Sequence, residues 1–230
     1  MLNKKIIIES INKSEAVRYM GYRGNEPDET MKNIIDNVEK ELLKVMVPRY
    51  IYKCFDLENV DGKVILKDAD FDLVGKSIQH HLKDCKKAIV MCATLSYGVD
   101  RFIRMSELRN MSATLAADAL ANAAIEQVCD EVEKIFMEDF KGYNNTWRFG
   151  VGYGDFPLHL QKDLLSLLDA EKRIGVACTD SYILTPSKSV TCIIGLSKKM
   201  VNGNSSCDNC NFQNRCSFRS QGKTCTNTSN

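Results

Sequence analysis

The stretch Asp180-Ser181-Tyr182-Ile183-Leu184-Thr185-Pro186-Ser187-Lys188-Ser189-Val190-Thr191-Cys192-Ile193-Ile194-Gly195-Leu196-Ser197 decides the fold class. Residues 180–185 and 189–197 are two strand-like runs flanking Pro186-Ser187-Lys188. Three residues suit an antiparallel return, whereas a parallel crossover consumes about a dozen or more. Just upstream, residues 158–174 read as a helix with Leu164, Leu165, Leu167 and Leu168 inward and Gly175 as its C-terminal stop. The class expected is α+β: a mainly antiparallel twisted sheet with helices packed on its faces.

The earlier chain fits that class. Residues 5–9 read as a strand and 14–20 as a short helix. A longer helix is opened by Asp28-Glu29-Thr30, carries Ile34, Ile35, Val38, Leu42, Leu43 and Val45, and ends before Pro48. Between the two helices, Gly21-Tyr22-Arg23-Gly24 forms a loop. Residues 50–55 and 64–66 suggest a hairpin turning at Asp61-Gly62. A helix is expected over 70–84, carrying Leu73, Val74, Ile78, His81 and Leu82. Adjacent histidines such as His80 and His81 cannot share a helix face, which argues against a metal pair. The apolar run over residues 87–95 reads as a central strand. The longest helix is expected over 112–140, with Ala119, Ala123 and Glu126 along one flank.

One segment carries the candidate chemistry. Trp147-Arg148-Phe149-Gly150-Val151-Gly152-Tyr153-Gly154-Asp155-Phe156-Pro157 puts an arginine before three spaced glycines, with His159 near the start of the next helix. Glycines bare the backbone, so a flat ligand can approach it. The guanidinium offers a planar fork for a carboxylate or phosphate. A glycine-rich turn with no ligand is the plain alternative.

Composition narrows the classes. The 230 residues carry 31 basic and 30 acidic side chains, so no basic stripe marks a nucleic-acid partner. No apolar run is long enough to cross a bilayer. The first residues turn charged too soon for a signal peptide, and a cytoplasmic protein is expected. Of ten cysteines, Cys54, Cys85, Cys92, Cys129, Cys178 and Cys192 have apolar neighbours and are expected to be small buried hydrophobes.

The order Arg148-x-Gly150-x-Gly152-Tyr153, Pro157-x-His159, Lys162, residues 167–175, Thr179-Asp180-Ser181-Tyr182, Pro186 and Ser189-Val190 resembles the activation domain of cobalamin-dependent methionine synthase. Ala119-Leu120-Ala121-Asn122 through Glu126 resembles the helix preceding that family's arginine motif. The resemblance covers about residues 112–195. It implies the activation-domain fold and binding of S-adenosylmethionine as methyl donor for reductive methylation of cob(II)alamin. By resemblance, Arg148 takes the ligand carboxylate, Gly150 and Gly152 present backbone to adenine and ribose, and Glu126 meets the amino group or sulfonium. Tyr153 and His159 line the groove or face the corrinoid. The family's other modules do not fit in 230 residues, so action in trans is expected, as a subunit of a methyltransferase system incomplete alone. The partners implied are a cobalamin-binding domain of methionine synthase or another corrinoid protein, and a flavodoxin- or ferredoxin-type reductant. Where the family places tyrosines after its last strand, this chain runs into Lys198-Lys199.

Two segments are therefore expected: an S-adenosylmethionine-binding domain over 1–201 and a cysteine-rich tail over 202–230. In the tail, Cys207-x-x-Cys210 with Cys216 and Cys225 has metal-ligand spacing. Four thiolates suit a tetrahedral zinc site or an iron–sulfur cluster, and an unmetallated tail stays open. A redox protein for corrinoid enzymes and a regulatory S-adenosylmethionine-binding module are the competing functions.

Overall fold

Helix α1 (Lys13–Tyr19) is capped by Asn12, and α2 (Glu29–Val45) by Asp28, whose carboxylate accepts from Met31 N–H. Strands β1 (Arg49–Val60), β2 (Lys63–Leu66) and β3 (Phe71–Leu73) follow, then helix α3 (Lys76–Leu82) and strand β4 (Lys87–Thr94). Helices α4 (Tyr97–Glu107) and α5 (Met111–Asp139) precede two short strands, β5 (Asn144–Asn145) and β6 (Phe149–Gly150). The chain closes with α6 (Leu160–Leu168), α7 (Ala170–Ile174), β7 (Ala177–Cys178), β8 (Leu184–Thr185) and β9 (Ser189–Ser197). This is a computed structural model that describes residues 4–22, 25–60, 63–69, 71–108 and 110–201.

The main sheet has the order β3-β2-β1-β4-β9-β5, with β6 also pairing β9, and β7-β8 form a separate ribbon. The pairings β1–β2, β2–β3, β5–β9, β6–β9 and β7–β8 are antiparallel. The α+β class with a mainly antiparallel sheet is what the sequence led us to expect. As expected, β4 is central, and all of it after Lys87 is buried. The hairpin holds too, in register Val60↔Lys63; its expected turn at Asp61-Gly62 lies outside the described residues.

Four local expectations are corrected. Residues 5–9 join no sheet among the described residues; Ile6 is buried and Ile7 exposed, but no ladder partner is supplied. The helix expected over 70–84 begins only at Lys76, because residues 71–73 pair with β2 and Gly75 has φ +123°. Asp70 lies outside the described residues. The helix over 158–174 is two helices, broken at Asp169 in the left-handed region at φ 55°. Gly175 does cap the second, and Leu164, Leu165 and Leu168 are buried while Leu167 is half-buried.

The fourth correction concerns the fold-deciding stretch. Its two runs do not pair with each other: β8 pairs β7, while β9 belongs to the main sheet. Lys188 C=O already accepts from Leu95 N–H, so the chain is committed elsewhere before β9 begins. The class followed from the other antiparallel pairs.

Contacts divide the chain into two units, with the long strands β1, β4 and β9 contributing residues to each. The first comprises Met1–Ile51, Cys92–Phe140 and Leu168–Val190. Its core is built on α5, which packs against α1, α2 and α4. Leu120, Ala124, Val128, Val132 and Phe136 are fully buried along it, together with Leu42 of α2. Among the described residues, the second unit comprises 52–60, 63–69, 71–91, 141–167 and 191–201. Its core gathers Leu66, Leu73, Ile78, Ile89, Phe149, Phe156 and Ile193. No helix among the described residues is long and apolar enough to cross a membrane.

Candidate functional site

The glycine segment lies wholly in the second unit, and its side chains are organised by aromatic packing. Trp147, half-buried, meets His81 edge-on at 4.8 Å, Phe149 at 5.0 Å and Tyr153 edge-on at 5.3 Å between ring centroids. Phe149 is buried and also contacts Phe156 at 6.1 Å. Tyr153 therefore sits inside this cluster, half-buried, rather than standing clear of it. Buried Thr146 anchors the start of the segment to β9. Its N–H donates to Gly195 O at 2.9 Å, and its Oγ1 accepts from Gly195 N–H at 2.8 Å.

The glycines serve different ends. A Cβ added to Gly150 would meet only Thr191 O, at 3.9 Å, so that stretch of main chain is open to a flat group. Gly150 O accepts from Tyr153 N–H, and Gly152 N–H donates to Phe156 O, closing two turns. Gly152 has φ +82° and faces Leu158, while Gly154 is packed against Ser77. Arg148 is half-buried one residue before β6. His159 is exposed in the turn leading to α6.

Electrostatics separates the two adjacent histidines. His80 is exposed. Burial, reinforced by the His80 charge and opposed by the Trp147 backbone, pushes His81 down to about 4. Its Nε2 is 2.8 Å from Thr146 Oγ1. Sequence reading gives no role to Thr146, because only its partners on α3 and β9, distant in sequence, mark it as the anchor.

In the first unit, α5 presents Asp118, Asn122 and Glu126 at successive turns, with Ala119 and Ala123 buried beside them. Lys188 Nζ lies 2.7 Å from both Asp118 Oδ1 and Asn122 Oδ1. Ser187 donates through N–H and Oγ to the Asp100 carboxylate at 2.8 and 2.9 Å. Pro186-Ser187-Lys188-Ser189 is thus fastened to α4 and α5. A concave surface in the same unit is lined by Lys13, Arg18, Tyr22, Glu26, Lys32 and Asp36, and its cations are paired with carboxylates. It contains none of the expected site residues.

The scattered cysteines divide. Cys85, Cys92, Cys129 and Cys192 are buried, Cys178 is half-buried, and Cys54 is exposed on β1, against expectation. Burial pushes Cys85 up to about 11 and Cys92 up to about 12, so both stay as inert thiols. No cluster of metal-ligating side chains occurs among the described residues. Cys207, Cys210, Cys216 and Cys225 lie outside those residues, as do Arg23 and Gly24.

The sequence model for the activation domain of vitamin B12-dependent methionine synthase matches residues 78–201, more than half of the chain. The chain belongs to this family. The match reaches from α3 through β9 and so includes the whole glycine segment. A crystal structure of the MetH reactivation domain bound to AdoHcy shares the fold, with a TM-score of 0.61 at 15% identity. The alignment covers 93% of this chain and 82% of that one. No curated protein sequence matches the chain. The shared fold therefore extends beyond the family-matched residues.

Proposed function

We propose that the chain binds S-adenosylmethionine and serves as the reactivation partner of a separately encoded cobalamin-dependent methionine synthase. The observation that carries the reading is Arg148 set beside the open backbone of Gly150, inside the family-matched region. The related structure holding AdoHcy, the demethylated form of that ligand, supports it. Arg148 binds the carboxylate, where a two-pronged charge-assisted contact is favoured. Gly150 and Gly152 supply main-chain surface for adenine and ribose, and Tyr153 and His159 border the ligand or the corrinoid.

When bound, S-adenosylmethionine supplies the methyl group that, with one electron from a flavodoxin- or ferredoxin-type reductant, converts the partner's cob(II)alamin to methylcobalamin and leaves S-adenosylhomocysteine. The protein's part is orientation: its residues hold the sulfonium in one pose. Residues 1–201 form the binding domain, and 202–230 form the tail. There Cys207, Cys210, Cys216 and Cys225 are proposed to hold zinc or an iron–sulfur cluster. Their spacing favours a second reading, a redox protein for corrinoid enzymes.

Calorimetric titration with S-adenosylmethionine, followed by a methionine synthase assay with the separately expressed cobalamin protein, tests the first reading. Binding with restored turnover is expected, and Arg148→Ala should weaken binding by about tenfold or more. Binding without rescue promotes a regulatory module; no binding overturns the reading. Brown colour with iron after anaerobic purification supports the redox role, and colourless zinc protein removes it.

A further inference from the structure

The ligand segment is tied at both ends to one short helix. Asp155, near the segment's end, accepts with Oδ2 from Lys76 N–H and with Oδ1 from Ser77 N–H, each at 2.8 Å. Helix α3 has Gly75 at its N-cap position and no side-chain cap of its own. Asp155, 79 residues from Lys76, supplies that cap from the loop. Hydrogen bonds from the Ser77 N–H, the Ser77 hydroxyl and the Lys76 N–H hold the Asp155 carboxyl below its ordinary range. The approach is close: a Cβ on Gly154 would lie 2.5 Å from Ser77 Oγ, and one on Gly75 would lie 2.8 Å from Asp155 O. At the other end of α3, His81 bonds to Thr146 and packs on Trp147 and Phe149.

Ser77 and His81 are one turn apart, about 6 Å along the helix. The chain from Thr146 to Asp155, if extended, could span about 30 Å. A long glycine-containing run is thus pinned across a short rigid base. Glycines lose the most freedom on ordering, and a loop ordered beforehand leaves less to be lost when a ligand binds.

We infer that α3 is a brace that preorganises the ligand loop, with Asp155 and His81 as positioning residues for S-adenosylmethionine held at Arg148 and Gly150. The ligand part of this inference rests on the proposed function; the bracing does not.

Amide hydrogen exchange on the full chain without ligand, together with S-adenosylmethionine titration, tests it. Asp155→Ala should accelerate exchange about fivefold to tenfold in both 76–82 and 147–154 and raise Kd by a similar factor. Asp155→Asn, which keeps one accepting oxygen, should restore most of both. Lys76→Pro removes one donor at a helix position that tolerates proline, leaves the loop sequence intact, and should give a smaller change in the same direction. Asp163→Ala, exposed on α6, should change neither readout. Unchanged exchange over 147–154 in Asp155→Ala and Lys76→Pro overturns the brace, even if 76–82 loosens. Faster loop exchange with an unaltered Kd overturns the positioning role. A wild type that fails to bind the ligand removes the proposed function instead, and loop exchange then decides the brace.

Discussion

His81 shows how one side chain reports on the candidate site. Buried against Trp147 and Phe149, its imidazole takes up a proton only near 4, against an ordinary 6.5. The unfolded chain therefore protonates first as pH falls. Stability is full above about 6.5 and declines through the window down to about 4. The loss is at most about 3–4 kcal/mol, since one pKa unit is worth about 1.4 kcal/mol. Urea unfolding at pH 7 and 4.5 should show this decline, and His81→Gln should flatten it; equal slopes would rule the histidine out as its source. Trp147 is the chain's one tryptophan, so its fluorescence reports the same protonation and any ligand arriving beside Arg148.

At the scale of elements, α5 carries the first unit. Its buried face combines Leu120, Val128, Val132 and Phe136 with a series of alanines, whose small side chains let α1, α2 and α4 pack close. Leu120→Ala should cost about 2–5 kcal/mol, because Leu120 is fully buried and its packed surroundings collapse only partly into the space. Ala124→Leu should cost about 1–3 kcal/mol by overpacking a fully buried position. Chemical denaturation measures both, with a shifted midpoint and an unchanged slope. Asp28 caps α2 through Met31 N–H, and Asp28→Ala should lose about 1 kcal/mol. A value near zero would mean another group takes over that cap.

For the whole molecule, ligand binding is readable as stability. S-adenosylmethionine at a hundred times its Kd should stabilise the native state by about 2.7 kcal/mol, visible as a raised melting temperature. Arg148→Ala, weakened about tenfold, should cut the stabilisation to about 1.4 kcal/mol at the same concentration, and an undiminished shift would move the carboxylate contact elsewhere.

Residue order alone determined the long helices α2 and α5, the buried strand β4, the β1–β2 hairpin and the family segment around Arg148. Each is written in local periodicity, in capping residues or in a run of matched motif positions, and needs no distant partner to be read. Tertiary structure decided the rest. It sent β8 to β7 and β9 to the main sheet, started α3 at Lys76 after β3 had paired with β2, and left residues 5–9 without a ladder. It also turned Asp155 into the cap of a helix 79 residues away and made His81 neutral. Those outcomes depend on which backbone donors remain unpaired and which rings lose water once the chain has closed on itself, and neither quantity exists until distant segments meet.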